Sequence, residues 1–375
     1  MDRIGDLQLG NGVTRLVTHV GVTYEKSSPE EELKKAITAV DAGTDIIADA
    51  SIGVNAKRNL KLLCDNLNVP VTALPGYIIC TNTGLNEMPN NISKNEILET
   101  TEEILSYGAK SITIHAPIRK RHIELLENSQ RSFPFTSRMG NYIRKYIKST
   151  GKDNPFYIYF PEIVGLAKKY DAAISIGLSM RSPSITNDGG FDKLYKTEIA
   201  DAADLVDICH KSGVTVAIEN GGHIALNRLE EWFNYTKNVC KNAPLRVLSV
   251  ATDRGMGHDN ITGAITAAFM AKLGVEMICT ITRAEHISQP TIEDIYESVI
   301  NTRIALSIVN PDWVMEEKVA EARAKGGCHL PNVIRNVIDP KGAALELERR
   351  TGKGLVELED VSSECTMCGL SCPLK

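Results

Sequence analysis

The chain of 375 residues carries 42 Lys and Arg against 47 Asp and Glu, a formal net charge of −5, with 43% hydrophobic and 24% charged residues. That is the composition of an ordinary globular protein, and it excludes disordered, collagen-like and coiled-coil chains. The mild acidity leaves no basic footprint for nucleic acid, and no apolar run approaches the ~18 residues of a membrane span. The opening Met1-Asp2-Arg3-Ile4-Gly5 has no apolar signal core, so a cytoplasmic address without nucleic-acid or membrane partners is expected.

From the N-terminus onward, short β-branched runs alternate with longer helical stretches. The first run, 13–22, precedes a helix start at Ser28-Pro29-Glu30-Glu31, with Ser as cap, Pro at the first helical position and acids in the first turn. Leu33, Ile37 and Val40 are its predicted buried stripe. A run at 45–50 leads to a helix over 56–67. A run at 69–74 leads to a helix over 93–107, where Ser93 and Glu96 have capping-box spacing. The run at 111–115 opens a long connection, 117–170, with a helix over 161–170 at its end; a connection of that length is commonly functional. Runs at 172–176, 214–218, 245–251 and 275–281 then alternate with helices over 199–211, 225–241, 261–273 and 291–308.

Runs this short and continuously apolar read as parallel strands buried on both faces. Eight of them, each followed by a helix, predict an α/β fold, a closed (β/α)8 TIM-type barrel. A doubly wound open sheet is the alternative, although no Gly-x-Gly-x-x-Gly follows the first strand. Past Pro311 the sequence turns to charged helices over 314–324 and 342–350 and then to cysteines. The predicted domains are therefore a catalytic barrel over 1–311 and a small C-terminal helical segment over 312–375.

Barrel enzymes place their chemistry at the C-terminal ends of the strands. Those ends deliver His19 and Gly21, Asp49 and Ser51, Tyr77, His115, Arg181, Glu219 and His223, Asp253, and finally Arg283, Glu285 and His286. Four of the eight histidines fall there, so an active site at this rim is expected. His122, His210 and His329 read as structural. Asp259, at the start of a helix near Asn260, reads either as a rim residue or as an N-cap. Glu219-x-x-x-His223 and Glu285-His286 suggest a divalent metal, Zn or Fe, held by two imidazoles with open positions for substrate. The alternative is a pair of hydrogen-bonding histidines.

Nine cysteines, an odd number with no secretory signal, argue against a disulfide framework. Cys64, Cys80, Cys209, Cys240, Cys279 and Cys328 read as buried small hydrophobes. Cys365, Cys368 and Cys372 crowd into one short tail and read as a ligand set. Three thiolates fit a [4Fe–4S] cluster with one iron open to S-adenosylmethionine. Structural zinc, completed by His329 or another distant ligand, is the alternative.

Glu219-Asn220-Gly221-Gly222-His223 resembles the Glu-Gly-Pro-Gly-His motif of the phosphomethylpyrimidine synthase (ThiC) family of radical S-adenosylmethionine enzymes. Thr113-Ile114-His115-Ala116, Ser137-Arg138-Met139-Gly140, Arg181-Ser182-Pro183-Ser184-Ile185, Gly257-His258-Asp259-Asn260-Ile261-Thr262, Ala284-Glu285-His286 and Cys365-Thr366-Met367-Cys368-Gly369 resemble further motifs of that family in the same order. The resemblance implies a homodimer of barrels with a C-terminal cluster domain closing over a barrel mouth, typically the partner's. It implies a [4Fe–4S] cluster on Cys365, Cys368 and Cys372, S-adenosylmethionine, an external flavodoxin- or ferredoxin-type reductant and a divalent metal on His223 and His286. It implies contacts from Tyr77, His115, Ser137, Arg138, Arg181 and Glu219 to 5-aminoimidazole ribotide, with His19, Ala48, Met139 and Arg246 also at substrate positions. Glu219, His115 and Asp253 are the candidate catalytic groups.

The chain departs from the family pattern at several of these positions. His19 stands for Asn, Ala48 for Met, Arg246 for Tyr, and Leu178-Ser179-Met180-Arg181 for Asp-Gly-Leu-Arg; the cysteine spacing is one residue shorter, and the family's N-terminal region is missing. The expected reaction is rearrangement of an aminoimidazole-ribotide-like nucleotide by a 5′-deoxyadenosyl radical, giving hydroxymethylpyrimidine phosphate or a 5-hydroxybenzimidazole. The alternatives are a paralogue acting on a more anionic substrate near Arg246, and a barrel metal hydrolase or lyase with structural zinc in its tail.

Overall fold

The structure, a computed structural model, describes residues 2–23, 26–81, 92–186, 188–324, 329–355, 365–371 and 373. Among them, eight parallel strands close into a barrel in chain order: β1 (Arg15–Val20), β2 (Ile46–Asp49), β3 (Val71–Ala73), β4 (Ser111–Ile114), β5 (Ala173–Gly177), β6 (Val216–His223), β7 (Leu245–Val250) and β8 (Met277–Cys279). The closing pair sets Ile278 beside Leu16. Each apolar run of the sequence supplies one strand. β2, β4 and β5 are buried along their whole length, because the barrel interior covers one face and helices the other.

Around the barrel lie α1 (Pro29–Ala42), α2 (Ala56–Asn66), α3 (Pro75–Thr81), α4 (Lys94–Ser106), α5 (Lys120–Glu127), α6 (Arg138–Thr150), α7 (Pro155–Ile158), α8 (Phe160–Lys169), α9 (Lys193–Ser212), α10 (Leu229–Val239), α11 (Asp259–Leu273) and α12 (Ile292–Val309). Contacts divide the chain into two compact units, Met1–Thr302 and Arg303–Lys375. The second contains α13 (Trp313–Ala324), α14 (Leu330–Ile334) and α15 (Pro340–Thr351).

Three details differ from the sequence reading. The buried face of α1 is not Leu33, Ile37 and Val40: Ile37 is 41% exposed, and Ala36, Ala39 and Ala42 face the barrel beside a buried Glu32–Lys35 pair. The connection 117–170 holds not only the helix expected at its end, α8, but also α5, α6 and α7. A two-stranded ribbon, Arg3–Ile4 with Leu7–Gln8, precedes the first predicted strand. Its Ile4 and the following Leu9 enter the core beside Val17, Ile46, Ala48, Ala173, Ala217, Met277 and Cys279. Arg3 N donates to Thr215 Oγ1, just ahead of β6, so the ribbon closes the end where strands begin. The opposite rim stays open.

Of the scattered cysteines, Cys80, Cys209, Cys240 and Cys279 are buried, whereas Cys64 is only partly covered; Cys328 lies outside the described residues.

Candidate active site

β6 carries the centre of the site. It continues to His223 through Gly221 and Gly222, both with positive φ, and a Cβ at Gly221 would lie 1.9 Å from the Leu248 carbonyl of β7. Only glycine lets the two strands approach there. Glu219 pairs in register with Arg246, whose Nη1 is 3.2 Å from Glu219 Oε2. Arg246 Nη2 lies 2.8 Å from His19 Nε2. A guanidinium only donates, so His19 accepts through Nε2 and carries its proton on Nδ1. Burial, reinforced by Arg246, lowers the His19 pKa to about 3 and keeps the ring neutral. Burial opposes ionisation of Glu219, but Arg246 and Arg181 outweigh it and hold the carboxyl down at about 2. Glu219 is therefore a fixed anion, suited to accept hydrogen bonds and unsuited to shuttle protons at neutral pH.

Above this layer opens a chamber of about 620 Å³, within the range of small-molecule sites. His19, Tyr77, Ser137, Arg138, Arg181, Glu219, Glu285 and His286 all line it. The Arg138 guanidinium sits 5.3 Å from the Tyr77 ring centre, and Tyr77 in turn stacks on His115. Ser137 caps α6 by accepting from Gly140 N. Burial lowers the His115 pKa to about 4 and leaves its Nε2 enclosed without a hydrogen-bond partner. A Cβ at Gly177 would meet that ring at 2.8 Å, so glycine makes room for the imidazole.

Four expected residues, His115, Ala48, Met139 and Arg246, lie off this wall. Ala48 is in the barrel core. Met139 packs against Gly76, and its buried side chain lines a small void with Tyr77 and His115. Arg246, 2% exposed, lies in the barrel interior, and Glu219 meets its charge.

A second chamber of about 650 Å³ adjoins the first and shares Thr136, Arg181, Leu248, Glu285 and His286 with it. Its other walls include Phe133, Phe135, Met256, His223, Asp253 and Asp259. Here His223 Nδ1 lies 2.7 Å from Asp253, and His286 Nδ1 lies 3.1 Å from Asp259. The two Nε2 atoms face each other at 3.2 Å. With each Nδ1–H given to a carboxylate, both Nε2 atoms present lone pairs, a repulsive arrangement unless a proton or cation lies between them. A carboxylate behind each imidazole is the usual support of a metal-binding histidine. Among the described residues, no three His, Cys, Asp or Glu side chains converge as a donor set; the two Nε2 atoms are the donors that could face a metal ion here. Burial lowers the His223 pKa, against the Asp253 bond. Burial likewise opposes ionisation of Asp253, but hydrogen bonds from Ser184, His223 and the Ile185 N–H keep its pKa low. Asp253 thus acts through His223. Glu285 opens to the shared wall, and the surrounding protein raises its carboxyl pKa.

Asp259 begins α11 without capping it; its carboxylate serves His286. Sequence position made it ambiguous, and only the barrel's curvature brings it to His286. Glu198, Arg131 and Asn154 carried no motif signal. Asn154, fully buried, donates from its amide to the carbonyls of His115, Ala116 and Ile118 and fixes the turn after β4. His122 is buried within α5, accepting from Arg119 N. Cys365 is partly covered and Cys368 exposed, both free thiols, while Cys372 lies outside the described residues. Accessible, unpaired thiols suit the donor chemistry of an iron–sulfur cluster.

A closed parallel barrel with ionisable groups gathered at its C-terminal rim defines a (β/α)8 enzyme. The chain belongs to the radical SAM ThiC family, whose pattern it matches over residues 4–375. It is 32% identical to the phosphomethylpyrimidine synthase of Thermodesulfovibrio yellowstonii over 99% of this chain and 87% of that protein. The phosphomethylpyrimidine synthase of Methanocaldococcus jannaschii is 30% identical over 96% of this chain and 84% of that one. Among solved structures, a 7,8-dihydropteroate synthase from Vibrio fischeri matches with a TM-score of 0.45 and 10% identity over 80% of this chain and 94% of that chain, too distant for any functional reading. Family membership implies a [4Fe–4S] cluster and S-adenosylmethionine. No described helix is long and apolar enough to cross a membrane.

Proposed function

We propose that this protein is a phosphomethylpyrimidine synthase: it converts an aminoimidazole-ribotide-type nucleotide into hydroxymethylpyrimidine phosphate by radical chemistry. The observation that carries this reading is the pair of chambers sharing Arg181, Glu285 and His286. One has cations and the start of α6 for a phosphate, with Glu219 as acceptor for an amino group. The other has Phe133, Phe135 and Met256 for an adenosyl group. Two reactants held against one wall is what hydrogen abstraction between them requires.

A cluster held by Cys365, Cys368 and Cys372 would supply the electron that cleaves S-adenosylmethionine, drawn from a flavodoxin- or ferredoxin-type protein. Arg138 and Arg181 grip phosphate oxygens, Arg181 through a planar fork suited to them. Tyr77, backed by the His115 ring stacked on it, forms the flat side of the ring pocket, and the Nδ1–H of neutral His19 donates at its floor. His223 and His286 hold one divalent metal, Zn or Fe, steadied by Asp253 and Asp259. The working unit is a cytoplasmic homodimer.

A second reading, a differently substituted heterocycle such as a benzimidazole product, is favoured by the His19–Arg246 contact. These two departures from the family pattern touch each other, and Arg246 also pairs with Glu219. Arg246 then shapes selectivity through its neighbours, since Glu219 already balances its charge.

Anaerobic protein should be brown and, with dithionite, S-adenosylmethionine and aminoimidazole ribotide, should yield 5′-deoxyadenosine and hydroxymethylpyrimidine phosphate. Colourless zinc protein that leaves S-adenosylmethionine intact would overturn the radical reading. Cleavage of S-adenosylmethionine with the ribotide left unconsumed would favour the second substrate reading.

A further inference from the structure

Arg181 lines both chambers, yet its guanidinium is lightly held: Nη2 is 3.9 Å from Glu219, and Nε donates to the carbonyl of Leu178 in its own turn. Its aim therefore depends on the turn Leu178–Arg181. The ends of that turn are tied to β6, where Leu178 N donates to Glu219 O and His223 N to Ser182 O. Its middle is held by side chains distant in sequence. Ser179 N and Met180 N donate to the two oxygens of Glu198 at 2.8 and 2.6 Å. The Met180 carbonyl accepts from Arg131 Nη2 at 2.9 Å.

Both holding groups are sunk in the protein. Glu198, on α9, is fully buried, and the Arg131 side chain is 1% exposed. Arg131 is itself set by a two-pronged contact with Asp192, the N-cap of α9, at 2.6 and 2.7 Å. Its remaining Nη1 donates to the Pro134 carbonyl, tying in the segment that bears Phe133 and Phe135. An apolar side chain of that size would leave the buried Ser179 and Met180 N–H groups unpaired, whereas the Glu198 carboxylate accepts from both. What the carboxylate adds is a fixed geometry for the peptide planes that lead to Arg181.

We propose that Glu198 and Arg131 are positioning residues that lock the Leu178–Arg181 turn and so aim the Arg181 guanidinium into the shared wall of the two chambers. The role in catalysis rests on the function proposed above; the lock itself does not. In Glu198→Gln one oxygen becomes an amide donor facing a backbone N–H, so one bond is lost while size is kept.

The test combines amide hydrogen exchange with a binding cycle on the intact, cluster-loaded protein at pH 8 or above, where Glu198, raised by burial to about 7, is ionised and both its oxygens accept. Exchange at Ser179 and Met180 should accelerate on the order of tenfold or more in Glu198→Gln, while amides of β1 and β2 keep their wild-type rates; unchanged exchange at 179–180 overturns the lock. Affinity for aminoimidazole ribotide should fall roughly tenfold in Glu198→Gln, and the loss should largely vanish in an Arg181→Ala background. Equal, additive losses in both backgrounds would mean a general structural role and overturn the aiming of Arg181. Wild-type protein that fails to bind the ribotide would sink the functional reading instead, and exchange alone would then decide the lock. Arg131→Lys keeps a donor for Met180 but loses the fork to Asp192, and it carries the same cycle if Glu198→Gln does not fold.

Discussion

Single residues decide what the floor of this site can do. Arg246 and Glu219 are 2% and 7% exposed, so their pairing is a buried ion pair whose members depend on each other. Arg246→Met should cost about 3–5 kcal/mol, the usual penalty for leaving one buried charge without its partner. Denaturant unfolding checks this; a loss below about 1 kcal/mol, the scale of an exposed pair, would mean that water reaches the pair. The paired imidazoles make a separate claim. His223→Ala or His286→Ala should each lose one divalent ion per chain while the cluster iron is retained, because the residues lie on different segments of the chain. Unchanged metal content outside the cluster would remove them from a metal site. Their placement was legible in the sequence. Glu219, His223 and His286 lie at strand ends in recognisable patterns, and they line the chambers at that rim. Asp259 and Glu198 were not legible, because their value lies in contacts to His286 and Ser179–Met180 made across other elements.

Elements were legible where local chemistry dictates them and obscure where packing does. Ser28 does cap α1, with Glu31 closing the box, as the Ser-Pro-Glu-Glu sequence required. The face that α1 buries was misread, because periodicity counts large apolar residues and this interface is built from alanines. Beside them Glu32 reaches up to accept from Gly21 N and is met by Lys35, a pair that reads as surface in any sequence pattern. The expected consequence is a reversal of the usual hierarchy. Ile37→Lys should change stability by no more than about 0.5 kcal/mol, as surface changes do. Ala39→Leu, at a fully buried position, should cost about 1–3 kcal/mol through overpacking. Thermal or denaturant unfolding of the two variants compares them directly, and a larger loss in Ile37→Lys would refute this account of the helix face. In the 117–170 connection only the last helix, α8, is legible, for a related reason. Its short helices α5 and α7 fall below the length at which periodicity speaks clearly, and its amphipathic α6 starts at Ser137, a position noticed for its motif and not for its cap.

At the scale of the whole molecule, the barrel hides ionisable groups whose protonation must couple to folding. His19, with its pKa lowered to about 3, and His115 and His122, each lowered to about 4, are held neutral chiefly by burial. Each binds a proton in the unfolded chain below about pH 6.5 but not in the folded one. Their contribution is complete above the unfolded value and is lost as pH falls toward the folded one. Asp49 and Glu198 do the opposite. Burial raises both to about 7, so between their unfolded values and 7 the folded protein holds protons that the unfolded chain has released. Their contribution is complete at low pH and is lost as pH rises through about 7. Between about pH 4.5 and 6.5 these histidines outnumber the two carboxyls, so stability should rise with pH. Asp49→Asn mimics the protonated carboxyl that Ser51 and Asn59 surround and removes one opposing group. It should steepen the rise in that window. Unfolding free energies measured from about pH 4.5 to 6.5 test both slopes. A wild-type slope near zero, or an Asp49→Asn slope no steeper than wild type, would show that these groups titrate in the folded barrel much as they do in water.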